Sequence, residues 1–226
     1  MGSDIPLRPL SQWCDTGIVP KNLIGGQKSD RTFIEEARRR QIVDAAIDVL
    51  TDDGYPEATL ETIARRVGIS RGLISYHFEG RDDLMAAVVG RVYEDGAAYM
   101  AERLAQAPRQ PAAVLNSYLQ SNLQFIRDHR RELLALLAVR QGGSQGGLRR
   151  SLIGIAQTLE PLERILRWGQ VKGDFGDFDA HAMAITIRNV IDGLPLYLRA
   201  EPDLDVDAFT AHALTLFARA TQKEVE

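Results

Sequence analysis

The sequence predicts an all-α chain, a compact N-terminal three-helix unit followed by a larger helical body, with about nine helices in total. Three observations carry this. Apolar residues recur at the three- and four-residue spacing of a single helix face through most of the chain. No segment shows the apolar/polar alternation of a half-buried strand over a useful length. The helical stretches are separated by Gly, Pro and Asp clusters of the kind that end or cap helices.

Residues 1–30 carry Pro, Gly and Ser without periodicity and read as a disordered arm, in which Trp13 and Ile18 could dock locally. From Arg31 to Asp53 the pattern is helical, with Ile42, Ala46, Val49 and Leu50 on one stripe and Val43 and Ile47 beside it. Gly54 ends this helix and Pro56 breaks the chain. Thr59 can cap the helix LETIARRV, whose Leu60, Ile63, Ala64 and Val67 form one apolar face. Gly68 then stands where a left-handed residue is needed. Ser70 caps the next helix after a short turn, and its Ile74 and Phe78 point back at the preceding one. Ala64 is small where the two helices cross, so their backbones can approach closely. This is a helix-turn-helix, and the residues left outward on its second helix are Arg71, Gly72, Leu73, Ser75, Tyr76 and His77. Such a surface suits DNA.

The head is therefore assigned to residues 31–84 and the body to 85–226. Asp82 and Asp83 favour the start of a linking helix that runs from about Asp82 to Ala105. Pro108 and Pro111 mark a break, and helices follow at about 111–128 and 130–140, with GGSQGG (142–147) as a loop. The last three helices fall at about 148–171, 178–199 and 205–222, with Asp179 and Asp205 as N-terminal carboxylates.

A net charge of −4 excludes a generally basic nucleic-acid coat, so any field for DNA must be local. Arg38, Arg39, Arg40, Arg65, Arg66, Arg71 and Arg81 all fall in the head, interspersed with Glu35, Glu36, Asp44 and Asp48. The single cysteine, Cys14, excludes an internal disulfide and fits a reducing compartment. With no run long enough to span a bilayer and no signal-peptide core, the expected location is cytoplasmic, without a membrane partner.

An enzyme reading lacks its ingredients. None of His77, His129, His181 and His212 has a glutamate three residues before it. Asp177, Asp179 and His181 read as a capping cluster rather than a metal site. Neither a phosphate loop nor a zinc cysteine pair occurs. No catalytic residue, metal or cofactor is expected. A helical protein–protein adaptor using the same motif stays open as the alternative, with a helical enzyme behind it.

The run from Ile42 through Leu84 resembles the DNA-binding domain of TetR-type bacterial transcriptional regulators. The resemblance rests on Ala46, Gly54, Thr59, the Ile63–Ala64 pair, Gly68, Ser70, Gly72, His77–Phe78, and Arg81 followed by acid and Leu84. The chain departs from the family at Ser75, where tyrosine is usual, and at Leu73, where a polar or small residue is common. The ISYHF wording is similar to a subgroup that includes choline–betaine regulators. The resemblance implies that Arg71 reaches base edges or phosphate, that Gly72 allows close approach and that Leu73 meets a thymine methyl. It gives Ser75 and Tyr76 hydroxyl contacts and makes Thr59, His77 and Arg81 phosphate contacts.

It further implies a homodimer through the last two helices, reading a pseudo-palindromic operator in double-stranded DNA and released by a small molecule. Ala184, Ile187, Ile191, Leu194 and Leu198, with Phe209, Ala213, Leu216 and Phe217, are the expected interface, part of which would serve as core. Polar groups scattered among apolar helices, namely Tyr118, Asn122, Gln141, Trp168, Arg188, Asn189 and Asp192, are the candidate effector contacts.

Overall fold

A computed structural model of the chain describes residues 33–142 and 145–223, with residues 145–158 described by their backbone alone. The expected arm, with Trp13, Cys14 and Ile18, lies outside the described residues. Among the described residues the chain forms nine helices and no strand.

The head comprises α1 (Phe33–Asp52), α2 (Leu60–Val67) and α3 (Arg71–His77). Its boundaries are set by local chemistry that the sequence displays. The Thr59 hydroxyl accepts from the Thr62 N–H at 3.1 Å and the Ser70 hydroxyl from the Leu73 N–H at 3.2 Å. Each such cap contributes about 1 kcal/mol. Gly68 closes α2 at φ 76°, and its N–H reaches the carbonyls of Ala64 and Arg65. A side chain there would be strained by the backbone itself. Ile42, Ala46, Val49, Leu50, Ile63, Ile74 and Phe78 are buried together beneath these turns.

The body contains α4 (Arg81–Gln106), α5 (Pro111–Asp128), α6 (Arg130–Gly142), α7 (Gln145–Lys172), α8 (Ala180–Ala200) and α9 (Val206–Ala220). The described residues of the expected GGSQGG loop, 142 and 145–147, are helical. Helix α6 continues through Gly142 and α7 starts at Gln145. Glycine costs a helix about 1 kcal/mol relative to alanine, which weakens an end without forcing a break. Pro195 likewise sits inside α8, against a cost of about 3 kcal/mol. The buried Ala184, Ile187, Ile191, Leu194 and Leu198 of that helix outweigh it, since a fully buried Leu or Ile contributes about 1.5–3 kcal/mol.

Those same five residues were the expected dimer stripe, and all belong to the protomer's own core, as do Ala213 and Phe217. Phe209 packs against that core, leaving Leu216 alone of the expected set exposed. The most regular apolar stripe of each helix turns toward its own body. The exposed large apolar residues of α8 and α9 are Ile185, Leu196, Tyr197 and Leu216.

The head core does not stop at residue 84. Met85 and Val88 of α4 and Ala135 of α6 are part of it, whereas Met100 and Leu104 at the far end of α4 belong to the body core. Ion pairs reinforce the joint: Arg131 of α6 meets Asp48 at 2.9 Å and Asp52 at 3.0 Å, and Asp52 also pairs with Arg66 of α2 at 3.0 Å. Exposed pairs of this kind contribute about 1 kcal/mol or less each and chiefly fix register. At the other end of α6, a Cβ on Gly142 would lie 2.1 Å from the Tyr55 ring, so only a hydrogen fits there.

Hydrogen bonds also set the acid response. The His181 ring, then Arg167, holds the Glu163 carboxyl below its ordinary value of 4.5. Arg66 and Arg131 do the same for Asp52, and the Ala182 and His181 backbone N–H groups for Asp179, both below 3.8. A carboxyl depressed in the folded state stabilises fully above its unfolded value and loses that contribution as pH falls through the folded one. Thermal midpoints measured from pH 6 to pH 2.5 should therefore fall below about pH 4.5. His181→Ala should lower the neutral-pH stability by about 1 kcal/mol or less and make the acid limb shallower. An unchanged acid limb in that variant would disprove the Glu163 assignment.

Candidate nucleic-acid interface and effector cavity

The recognition surface is assembled by caps and braces around a very short helix. Helix α3 has seven residues, so its orientation depends on what holds its ends. Ser70 fixes the start. At the other end Arg39 of α1 donates to the His77 carbonyl and lies 3.9 Å above the Phe78 ring. With Ile74 and Phe78 buried, Arg71, Gly72, Ser75 and Tyr76 face solvent, and Leu73 and His77 are half-buried. Tyr76 is 70% exposed, a high value for so large a ring, and its hydroxyl donates to Glu35 at 3.1 Å. Arg71 lies 3.7 Å from the exposed Glu61 carboxylate. Thr59, at the amide end of α2, is exposed and shares a 3.0 Å hydroxyl contact with Thr62.

Arg81 is placed differently from the expectation. Its Nε donates to the Ala58 carbonyl at 2.9 Å, a terminal nitrogen donates to the Tyr55 carbonyl, and the guanidinium lies 4.2 Å above the Tyr55 ring. The group expected at a phosphate is instead engaged by the loop between α1 and α2. Arg39, counted among the head's positive charges, is likewise a brace. Neither role was visible in sequence, because each joins residues 23 or more positions apart.

A cavity of about 150 Å³ opens in the body between α4, α5, α6, α7 and α8. Of the expected effector contacts, Tyr118, Asn122, Arg188 and Asp192 line it. Gln141, Trp168 and Asn189 do not. Gln141 is exposed and accepts from Arg199 at 3.2 Å. Trp168 packs on the body core with the Lys172 ammonium 5.6 Å from its ring. Asn189 follows Arg188 by one residue, which turns it about 100° around the helix, and it is exposed. Sequence reading missed the α4 wall, where Tyr93, Gly96 and Ala97 line the cavity, and also Arg140. The small Gly96–Ala97 pair within a helix was the available signal. A Cβ on Gly96 would approach Phe125 to 3.3 Å.

Arg188 dominates the polar side of the cavity. Its side chain is 13% exposed. One terminal nitrogen donates to the Tyr118 hydroxyl and to Asn122 Oδ1, both at 3.2 Å, and the other pairs with Asp192. Nε is enclosed without an acceptor. Burial works against the charge, but Tyr118 and Asp192 more than offset it, leaving the guanidinium pKa above its ordinary value. A buried charge costs several kcal/mol unless its donors are met, so this group needs every acceptor it can find.

Elsewhere, Asp179 caps α8 by accepting from the His181 and Ala182 N–H groups, which accounts for the acidic cluster near Asp177. Among the described residues no group of three His, Cys, Asp or Glu side chains is placed to hold a metal ion. No described helix is long and apolar enough to cross a membrane.

Two short capped helices with Arg71, Gly72, Ser75 and Tyr76 outward, on an all-helical body with a cavity, define a helix-turn-helix head. Residues 42–88 match the family model for bacterial regulatory proteins of the tetR family. The HTH-type transcriptional regulator BetI 1 of Chromohalobacter salexigens is 32% identical over 89 residues, covering 39% of this chain and 44% of that protein. The BetI of Burkholderia mallei is 34% identical over 89 residues, 39% of this chain and 46% of that one. The chain thus matches less than half the length of these curated relatives. In three dimensions it resembles a tetR-family regulatory protein from Rhodococcus RHA1, at TM-score 0.71 and 20% identity over 83% of this chain and 98% of that one. The transcriptional regulator FadR from Bacillus subtilis, solved in complex with stearoyl-CoA, aligns at TM-score 0.68 and 19% identity over 79% of this chain and 97% of that one.

The division between reading and bracing residues is testable by urea denaturation. Arg81→Met should destabilise the protein by about 2–3 kcal/mol, through two lost charged hydrogen bonds. Arg71→Ala should stay within about 0.5 kcal/mol of wild type. Equal effects of the two substitutions would refute the assignment.

Proposed function

We propose that this chain is a transcriptional regulator whose homodimer binds a pseudo-palindromic operator and releases it when a small molecule occupies the body cavity. The observation that carries the reading is α3, braced at both ends while Arg71, Gly72, Ser75 and Tyr76 stay open to solvent. In this reading α3 enters the major groove. Arg71 contacts guanine or phosphate, Leu73 a thymine methyl, and Ser75 and Tyr76 bases or phosphates by their hydroxyls. Thr59, Ser70 and His77 lie at the backbone and fix the register. Arg81 acts only through the loop it braces.

One seven-residue helix offers too few base contacts for a specific site, so two heads related by a two-fold axis are needed. The exposed Ile185, Leu196, Tyr197 and Leu216 of α8 and α9 supply the self-complementary face. FadR, of similar fold, was solved in complex with stearoyl-CoA, which supports a small-molecule ligand for this chain.

Ligand and operator communicate through two helices. Val92, Tyr93, Gly96 and Ala97 of α4 line the cavity while Met85 and Val88 of the same helix pack in the head. Helix α6 repeats the arrangement, with Leu133, Leu136 and Leu137 on the cavity and Ala135 in the head core. A ligand that shifts either helix changes the separation of the two heads. Because ligand and DNA favour different arrangements, each weakens the other's binding by the same factor.

Purified protein titrated into its own upstream DNA at two salt concentrations should bind one site saturably, with affinity falling steeply as salt rises. Arg71→Ala should cost about 1–3 kcal/mol of that affinity. Leu216→Glu combined with Tyr197→Glu should yield monomers in sedimentation velocity and lose the site. Binding no tighter than to random DNA would replace this reading with that of a helical adaptor.

A further inference from the structure

We infer that Glu61 of α2 is a specificity-determining residue of the recognition surface: its carboxylate holds Arg71 for a base edge and keeps it off the phosphate backbone. The inference rests on the DNA-binding reading above and decides which of the two contacts named there Arg71 makes.

Glu61 stands where a DNA-binding head has least use for negative charge. It follows the Thr59 cap by two residues, and its carboxylate lies 3.7 Å from the Arg71 guanidinium at the start of α3. The Arg71 and Glu61 side chains are 65% and 75% exposed, so the pair sits on the surface and not beneath it. Helix spacing offers Glu61 a different partner, because Arg65 is four residues further along α2. Arg65 donates to the Thr62 hydroxyl at 3.4 Å instead. The remaining arginine of α2, Arg66, meets Asp52 and Asp53 at 3.0 and 2.9 Å. Glu61 is therefore the carboxylate that α2 presents to the recognition helix.

An exposed pair of this kind adds little to folding. Its effect appears when DNA displaces the surrounding water and the charges are screened less. A phosphate approaching Arg71 then also approaches Glu61, and repulsion offsets the attraction. The major-groove edge of guanine presents two acceptors, O6 and N7, without a net charge. A guanidinium carries five N–H donors in a planar fork, so Arg71 can keep one side on Glu61 and turn another to such an edge. The carboxylate thus penalises the contact that any DNA offers and spares the one that only a matching sequence offers. Glu61 acts through Arg71, as a positioning residue.

The test uses two duplexes of equal length, the bound segment of the upstream DNA and a scrambled version of it. Affinities are measured by fluorescence anisotropy across a salt series for four full-length proteins: wild type, Glu61→Gln, Arg71→Ala and the double variant. Circular dichroism checks that each is folded. Glu61→Gln should tighten binding to the scrambled duplex and lower the ratio of upstream to scrambled affinity by about fivefold or more. Its salt dependence on scrambled DNA should steepen by about one phosphate per head, as Arg71 takes up the backbone. In the Arg71→Ala background the same substitution should leave the ratio within about twofold. In a protein that prefers its upstream site, a ratio unchanged by Glu61→Gln overturns the proposal and leaves the regulator reading standing. That is the result expected if Glu61 serves only the dipole of α2, since both duplexes would then be affected equally. An equal loss of ratio in the Arg71→Ala background also overturns it, because Glu61 would then touch a base itself. Wild-type protein that holds both duplexes equally overturns the regulator reading, and this assignment with it.

Discussion

Two helices in this protein each serve the head core and the cavity wall at once. Helix α4 packs Leu84, Met85 and Val88 against the buried face of α1 and the recognition unit, then lines the cavity with Val92, Tyr93, Gly96 and Ala97. Helix α6 places Ala135 in the head core and Leu136 and Leu137 on the cavity. Close-packed interiors transmit displacement because they have few voids to absorb it. In the proposed function, a side chain pushed out of the cavity wall moves the head through these shared helices. The Arg131 pairs with Asp48 and Asp52 and the tight Gly142–Tyr55 contact keep α6 in register with α1 and its following loop.

The recognition surface is precise for related reasons. A helix as short as α3 has little stability of its own, since nucleation is costly and few hydrogen bonds repay it. Its geometry comes from neighbours: the Ser70 cap, the Arg39 brace at the His77 carbonyl, and buried Ile74 and Phe78. Arg81 then holds the loop ahead of α2 through the carbonyls of Tyr55 and Ala58. These braces use up two arginines that a charge count would assign to DNA. The surface left for recognition is correspondingly small, which is why the proposed function calls for a second copy of the head.

The parts of the molecule legible in sequence are those governed by near neighbours. Thr59, Gly68 and Ser70 act on backbone groups within five residues, so the turn and both caps could be read directly. In the cavity, Tyr118 with Asn122 and Arg188 with Asp192 are four-residue pairs, and that spacing puts each pair on one helix face. Polarity among apolar neighbours points equally to Gln141, Trp168 and Asn189, which have no such partner among the candidates and fall elsewhere. What remained illegible depends on distant partners. Nothing local distinguishes an apolar stripe that meets its own body from one that meets a second copy, so Ile187 and Leu194 were expected at an interface although Ile185 and Leu196 are the exposed residues. The arginine–ring contacts of Arg39 and Arg81 and the helical continuation through Gly142 have the same origin, in tertiary packing that overrides local preference.

The most direct test of this coupling requires no knowledge of the ligand. Ala97→Phe would fill the cavity from the α4 wall, and the affinity of this variant for the operator would be compared with wild type at one salt concentration, after circular dichroism has established that the head is folded. The shared-helix account predicts a loss of about tenfold or more, within the usual coupling range of 1–3 kcal/mol. An operator affinity unchanged by a filled cavity would contradict it, and would mean that head and body share a core without sharing a conformational equilibrium.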